Sequence, residues 1–245
     1  MRISWSLGAW MPVLRTLPAG ADKQVALTVD DGPTPDATPA MLEAFDRFGH
    51  KATFFLSGFR AEAHPELVED IVRRGHAVYA HAWEHIRLDK EPTARLVGDI
   101  ARCEALLARF RPTPNPYIIR LPKNGGYRNA RVHRALRGWM PGGQFAHWLL
   151  STEDHLISPR CGAESDIGTE CAKEVARLLA DPRLPSSVIL MHDQPINDRP
   201  GARFKAGVTI ALAHKLAEEL AQAGYRSVPL VPTPSQPLWS RFILV

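Results

Sequence analysis

The sequence predicts an α/β fold in which a parallel sheet closes into an incomplete barrel, and three observations support this. Short apolar segments alternate with segments of helical periodicity along most of the chain. The apolar segments show little alternation of apolar and polar residues, which is typical of parallel strands covered on both faces. Polar residues of chemical interest follow several predicted strands, and the loops at the carboxyl ends of barrel strands meet at one face.

Seven strands and six helices are predicted in alternation. The predicted strands are Val25–Val29, Ala52–Leu56, Ala77–Ala80, Tyr117–Leu121, Phe145–Leu150, Val188–Met191 and Tyr225–Leu230. The predicted helices are Asp36–Phe48, His64–Arg74, Thr93–Phe110, Asn129–Arg137, Ser165–Ala180 and Gly207–Ala223. The second helix has Pro65 near its start and Gly75 after its end, where helices favour these residues.

A chain of 245 residues of this class is expected to form one domain. We expect a core over residues 25–230, an N-terminal arm over 1–22 and a proline-rich C-terminal strap over 229–245. No GxGxxG motif follows the first strand, so a dinucleotide-binding fold has no support. An open sheet would spread the polar clusters unless they lay at a switch point, which favours the barrel.

Composition excludes several classes of function. The formal net charge of +4 comes mostly from scattered arginines, and no basic stripe interleaved with aromatic residues indicates nucleic-acid binding. No segment is long and apolar enough to predict a membrane span. Residues 1–17 make no convincing signal peptide, so a cytoplasmic or cell-envelope-associated protein is expected. Cys161 and Cys171 would be able to pair in an oxidising compartment, but three cysteines predict no disulfide framework.

The adjacent acids Asp30 and Asp31 end the first predicted strand and precede a Gly-Pro turn. Adjacent acids are also common in turns without any chemical role. His81 and His85 follow the third strand, and with one of the acids they would give three ligands and an open fourth position. Catalytic zinc sites are built in this way. The other acid would then lie within reach of a water ligand as general base.

Three further residues extend this set. Arg120 ends a predicted strand and would hold the basic carboxylate in place. His192 ends another strand and is the candidate general acid. A histidine in this role needs a carboxylate to hold its tautomer and raise its pKa, and we predict that Asp154 does so. Asp193 and Asp166 are the alternatives.

In this order and spacing, the motifs resemble those of the polysaccharide deacetylases of carbohydrate esterase family 4, the NodB-homology domain. The motifs are Thr28-Val-Asp-Asp-Gly-Pro33, His81-Ala-Trp-Glu-His85, Arg120-Leu-Pro122 and Leu190-Met-His192. The resemblance runs from about residue 25 to residue 230 and implies a distorted (β/α)7 barrel that catalyses metal-dependent N-deacetylation. It implies Asp30 as base, His192 as acid and Arg120 as the orienter of the base.

The resemblance also implies Asp31, His81 and His85 as metal ligands, and Leu190 as lining for the acyl methyl group. We assign Trp83, within the second motif, and Lys123 to substrate binding. Some positions depart from the family pattern: Val29 replaces Phe, Ala82 replaces Ser or Thr, and Lys123-Asn124 replaces Tyr-Gly. His155 stands where the family has Trp, which removes an aromatic wall near the sugar and leaves the substrate open.

The sequence therefore predicts a metal-dependent hydrolase that removes an acyl group from an N-acylated amino sugar. The Asp-His-His ligand set suits zinc best, with cobalt or nickel as alternatives. Rival functions on the same fold are a lipid-linked sugar deformylase, a non-sugar C–N amide hydrolase and an inactive carbohydrate-binding homologue. Nothing in the sequence specifies an oligomeric state.

Overall fold

The computed structural model describes residues 10–111, 118–194 and 204–232. The strands are β1 Val13–Leu14, β2 Gln24–Asp30, β3 Ala52–Leu56, β4 Ala77–Ala80, β5 Ile118–Ile119, β6 Gln144–Ala146, β7 Leu150–Ser151, β8 Val188–His192 and β9 Arg226–Ser227. The helices are α1 Thr38–Arg47, α2 Gly58–Ala63, α3 Pro65–Arg73, α4 Thr93–Leu107, α5 Ala130–Trp139, α6 Ile157–Arg160, α7 Ile167–Leu179 and α8 Lys205–Gln222.

The strands form two parallel sheets. The larger sheet has the order β4-β3-β2-β8-β7, and β9 pairs with the start of β2. The smaller sheet has the order β1-β6-β5. Within the described residues no ladder joins β4 to β5 or β6 to β7, so hydrogen bonds do not close the barrel. This agrees with the incomplete barrel expected from the sequence.

The central strand β2 is almost continuously apolar because both of its faces are buried. Val25, Leu27 and Val29 belong to the core cluster that includes residues of α1, α7 and α8. The alternate residues on its other face are Ala26, which joins a second apolar cluster, and the polar Thr28 and Asp30. A strand buried on both faces needs apolar residues along its length, and only its carboxyl end carries a charge.

Most predicted elements are present, with boundaries shifted by a few residues. The predicted strand over 145–150 is wrong as one element, because it divides into β6 and β7 in different sheets. Residues 147–149 cross the gap between the two sheets and therefore cannot continue one ladder. Helices α2 and α6 were not expected. Tyr117 and the part of the predicted strap over 233–245 lie outside the described residues.

The N-terminal segment is more than the arm expected from the sequence. Residues 1–9 lie outside the described part of the chain, but Val13 and Leu14 pair with Phe145 and Ala146 in β6. The next residues turn to the larger sheet, where the Arg15 carbonyl accepts a hydrogen bond from the Val188 amide at 2.9 Å. This segment therefore links the two sheets across the gap between β6 and β8.

Two further sequence expectations concern cysteines and membranes. Cys103, Cys161 and Cys171 are buried free thiols, so the Cys161–Cys171 pairing allowed by the sequence is not formed in this structure. None of the helices among the described residues has the length and apolar character required to cross a membrane.

Buried neutral histidines accept hydrogen bonds from backbone amides at several junctions of the fold. His76 Nδ1 accepts from the Ala52 amide at 2.9 Å, and His50 Nδ1 accepts from the Ser227 amide at 3.0 Å. Burial lowers the pKa of His76 to about 4. Because protonation would remove the acceptor, the fold requires the neutral ring at both junctions.

We predict that acid weakens the fold through His76. Its stabilising contribution is complete above the unfolded pKa of about 6.5 and is lost as the pH falls towards about 4. His76→Asn keeps an acceptor but has no titrating ring. As the pH falls, the unfolding free energy of this variant should therefore decrease less steeply than that of the wild type, by up to about 1.4 kcal/mol per pH unit. Urea unfolding between pH 7 and pH 4.5, with chelator present, measures this, and parallel pH dependences would contradict it.

Candidate active site

Two adjacent carboxylates reach the same site because the chain leaves β2 abruptly. Asp30 is the last residue of β2, and neighbouring residues of a strand normally point to opposite faces. Asp31 has a φ of 78°, in the left-handed region, which reverses this alternation. As a result Asp31 Oδ1 lies 3.4 Å and Asp30 Oδ2 lies 3.8 Å from His81 Nε2. Both carboxylates are almost fully buried.

The three predicted ligands form a compact cluster. Asp31 Oδ1 lies 3.4 Å from His81 Nε2 and 3.2 Å from His85 Nε2, and all three ligand atoms lie within 4.8 Å of one another. Ligand atoms of a tetrahedral zinc site with bonds of about 2.0–2.1 Å are separated by roughly 3.3 Å. The residues present therefore fit a small divalent cation.

The protonation of the ligands also suits a cation. His81 Nδ1 lies 3.0 Å from the Arg120 carbonyl oxygen, which accepts its proton and leaves Nε2 with a free lone pair. Burial lowers the pKa of His85 to about 4, so its ring is neutral near pH 7. Burial tends to raise the pKa of Asp31, but the nearby His81 ring and the charge of His192 outweigh this and lower it. The set offers one carboxylate oxygen and two imidazole nitrogens.

Arg120 fixes the second carboxylate. Its Nη1 donates to Asp30 Oδ1 at 2.7 Å and to Thr28 Oγ1 at 2.8 Å, while its Nη2 donates to the His147 carbonyl at 3.0 Å. The Arg120 side chain is buried. Because Oδ1 of Asp30 is held by Arg120, Oδ2 is the oxygen that faces the ligand cluster.

His192 and Asp154 form a second pair at the end of the neighbouring strand. Asp154 Oδ1 accepts from His192 Nδ1 at 2.8 Å, and Asp154 Oδ2 accepts from the His192 amide at 2.6 Å. Burial lowers the pKa of His192, but the Asp154 charge and hydrogen bond, together with the charges of Asp31 and Asp30, raise it to about 10. The contact expected between Asp154 and His192 is therefore present, and the ring carries a proton near neutral pH.

The two alternative partners of His192 lie elsewhere. Asp193 is buried on the other side of the strand end, where it accepts hydrogen bonds from the hydroxyls of Thr34 and Thr38. Asp166 accepts from the backbone amides of Gly162 and Ala163 and caps its own turn.

Leu190 and Lys123 are two of the three predicted substrate-binding residues. Leu190 is buried two residues before His192 and is in register with Thr28, on the face of β8 that also carries the His192 side chain. Lys123 is exposed in the turn after β5, and its charge contributes to the low pKa of His85. A substrate groove beside the ligand cluster, lined by both residues, stays a prediction.

Trp83, the third predicted substrate-binding residue, is closely packed. Its indole is 8% exposed and belongs to the apolar core cluster, with the Arg102 guanidinium 3.4 Å above the ring. It also packs so closely on Gly58 that a Cβ there would lie 2.4 Å from the ring. The indole therefore has a packing role, although it also lines a surface pocket with Arg95 and Arg102. Its assignment to substrate binding stays a prediction.

The sequence did not indicate two residues that contact parts of the site through hydrogen bonds or ring packing. Asp99 of α4 accepts hydrogen bonds from the backbone between His81 and His85. His147 stacks on Trp148 at a centroid distance of 4.2 Å and has a tilted contact with Tyr127 at 3.9 Å. Neither residue belongs to a short motif, and the sequence carried no signal for these contacts beyond helical periodicity around Asp99.

Comparison with known proteins identifies the family. A family model described as "Polysaccharide deacetylase" matches residues 18–138, which include both acids, both candidate ligand histidines and Arg120. Over these residues the chain matches the polysaccharide deacetylase family. A relative from Bacillus cereus, "Peptidoglycan-N-acetylglucosamine deacetylase", is 28% identical over 207 residues, covering 84% of this chain and 86% of the relative. A "Chitooligosaccharide deacetylase" from Bradyrhizobium is 27% identical and covers 70% of this chain and 71% of the relative.

Solved structures of the polysaccharide deacetylase family share the fold. The Bc1960 peptidoglycan N-acetylglucosamine deacetylase has a TM-score of 0.70 at 26% identity, over 90% of this chain and 91% of that one. The chitin deacetylase from Colletotrichum lindemuthianum has a TM-score of 0.69 at 24% identity, over 89% and 88%. These matches confirm the predicted fold class. A Bacillus anthracis structure described as a CE4 family pseudoenzyme has a TM-score of 0.65 at 19% identity, over 85% and 64%, so the fold alone does not establish activity.

We predict that Asp154→Asn lowers the pKa of the His192 ring towards its ordinary value of about 6.5, because the adjacent negative charge is lost. NMR titration of the labelled imidazole in chelator-treated protein measures this pKa directly. Asp193→Asn is the matched control, since Asp193 faces Thr34 and Thr38, and it should leave the His192 pKa near the wild-type value. An unchanged pKa in Asp154→Asn would assign the effect to another group.

Proposed function

We propose that this protein is a metal-dependent hydrolase that removes N-acetyl groups from amino sugars of a poly- or oligosaccharide. The observation that carries the proposal is the position of a base and an acid around one ligand cluster. Asp30 faces the cluster and is held by Arg120, and His192 ends the adjacent strand and is held by Asp154. The names of the related enzymes from Bacillus cereus and Bradyrhizobium support this substrate class.

The cation proposed at Asp31, His81 and His85 is zinc, because one carboxylate and two imidazoles with an open position suit it. Cobalt and nickel bind the same donor types and are the alternatives. Such an ion, when bound, would polarise an acyl carbonyl and lower the pKa of a water molecule towards neutrality.

Asp30 is the proposed general base. Its Oδ2 faces the cluster, and the hydrogen bond from Arg120 to Oδ1 prevents the carboxylate from rotating away. In the reaction Oδ2 accepts a proton from the water that attacks the acyl carbon. Arg120 touches the carboxylate on the side opposite to the reacting atoms, so we assign it as a positioning residue for the base.

His192 is the proposed general acid. Its Nδ1 is bound by Asp154, which leaves the proton on Nε2 available to the amine that departs when the C–N bond breaks. A raised pKa keeps this proton on the ring through neutral pH. A backbone amide in the turn at Lys123 is the proposed donor to the oxyanion.

The residues around the site indicate which acyl group and which kind of sugar surface would be bound. Leu190 provides an apolar surface suited to a methyl group, which favours acetyl over formyl. His155 has its ring centroid 6.5 Å from that of His192, and its Nε2 lies 3.7 Å from Glu153. Together with Lys123 these residues make the proposed groove more polar than an aromatic wall would.

We predict that the wild-type protein releases acetate from chitooligosaccharides or from peptidoglycan fragments, and that a chelator abolishes the release. Acetate and formate are assayed in parallel on N-acetyl and N-formyl substrates. Formate release alone would favour a deformylase, and turnover of non-sugar amides alone would favour a different C–N hydrolase. Absence of turnover from zinc-loaded protein on all of these substrates would favour the inactive homologue.

We predict that Asp30→Asn lowers kcat by roughly 10²- to 10⁴-fold, which is the usual contribution of general-base catalysis. Because Asp30 is not among the three ligands, the variant should still bind zinc at a 1:1 ratio, as measured by metal analysis after dialysis. Asp36→Asn, an exposed acid in the following loop, is the control and should retain wild-type turnover. A near-normal rate in Asp30→Asn would exclude its role as base.

A further inference from the structure

We propose that Asp99 is a positioning residue for the candidate metal ligands, acting through the loop of residues 82–84 that joins His81 to His85. The inference rests on the metal site of the proposed function. It assigns a role to a side chain of α4 that belongs to no motif and does not itself reach the ligand cluster.

Asp99 binds this loop with both carboxylate oxygens. Oδ1 accepts from the Trp83 amide at 2.6 Å, and Oδ2 accepts from the Glu84 amide at 3.3 Å. A carboxylate that accepts two consecutive backbone amides fixes the orientation of the peptide between them, and charged acceptors make stronger hydrogen bonds than neutral ones. The middle of the loop is therefore held by α4.

The opposite side of the same loop is held by α2. The Ala82 carbonyl accepts from the Gly58 amide at 2.9 Å, and the Trp83 carbonyl accepts from the Phe59 amide at 3.4 Å. Ala82 has a φ of 75°, a conformation that costs a non-glycine residue free energy and needs surrounding contacts to persist. The loop thus depends on partners at both its amides and its carbonyls.

The loop matters most for His85. The His81 ring is oriented directly, by its hydrogen bond to the Arg120 carbonyl. The Nδ1 atom of His85 is buried and has no hydrogen-bond partner among the described residues. No contact of that nitrogen sets the direction of the ring, which therefore depends on the position of its backbone and on the contact of Nε2 with Asp31. Asp99 fixes this backbone one residue before His85.

We expect metal affinity to fall when the hydrogen bonds between Asp99 and the loop amides are weakened. Asp99→Asn keeps the size of the side chain, but its amide group cannot accept from both loop amides. Loss of residues that orient metal ligands typically weakens metal binding by about 10- to 100-fold. We therefore expect the zinc dissociation constant of Asp99→Asn to rise by a factor in this range.

The experiment measures zinc affinity of the full chain by competition with a fluorescent chelator, without any substrate. Glu104→Gln is the matched control: Glu104 lies on the same helix and pairs with Arg111 rather than with the loop. It should lower the thermal midpoint while changing the zinc dissociation constant by no more than about two-fold. Absorption spectra of the cobalt-loaded proteins report coordination geometry, and only the Asp99 variant should differ from wild type.

The outcomes separate this inference from the proposed function. Wild-type protein that does not bind zinc, cobalt or nickel would overturn the metal site and this inference with it. Asp99→Asn that binds zinc as tightly as wild type, with an unchanged cobalt spectrum, would overturn this inference alone. If Asp99→Asn does not fold, Asp99→Glu displaces the carboxylate by one methylene group, and an unchanged dissociation constant in that variant would equally overturn it.

Discussion

The buried ion pair between Arg120 and Asp30 is the interaction on which the rest of the site depends. Arg120 follows β5 of the smaller sheet, and Asp30 ends β2 of the larger one, so the pair joins the two sheets at the carboxyl ends of these strands. The Arg120 carbonyl also receives the proton of His81. One residue therefore orients the candidate base and a candidate ligand together. Removing one partner of a buried pair typically costs about 3–5 kcal/mol, so this arrangement constrains the fold as well as the chemistry.

Asp30 and Asp31 have different proposed roles because they differ in backbone conformation and in the groups that they contact. Asp30 keeps the strand conformation and is held by a guanidinium, whereas Asp31 adopts a positive φ and turns towards two imidazoles. Arg60 supports the turn by donating to the Asp31 carbonyl at 3.2 Å. A residue in this conformation costs about 1–3 kcal/mol, and the surrounding contacts hold it in place. The two carboxylates can therefore face one cluster without having equivalent surroundings.

The residues of the candidate site were easier to predict from the sequence than the packing around them, because the site residues follow local patterns and the packing does not. Strand ends that carry Asp30, Arg120 and His192 are recognisable because a polar residue abruptly follows a buried apolar run. The packing of Trp83 was not recognisable, because its enclosure depends on Gly58 and Arg102, which are distant in sequence. The division of the segment over 145–150 into β6 and β7 also depends on distant partners, β1 and β8, that local patterning does not reveal.

The linking role of the N-terminal segment has a consequence for how the chain folds. Val13 and Leu14 are among the first described residues, but their partners in β6 follow more than a hundred residues later, and the Val188 contact of Arg15 lies later still. Contacts between such distant segments form slowly, because the intervening chain must first be ordered. During synthesis the edge of β1 therefore has no native partner until most of the chain has emerged. This link between the two sheets is therefore expected to form late in folding, because its partners are far apart in the sequence.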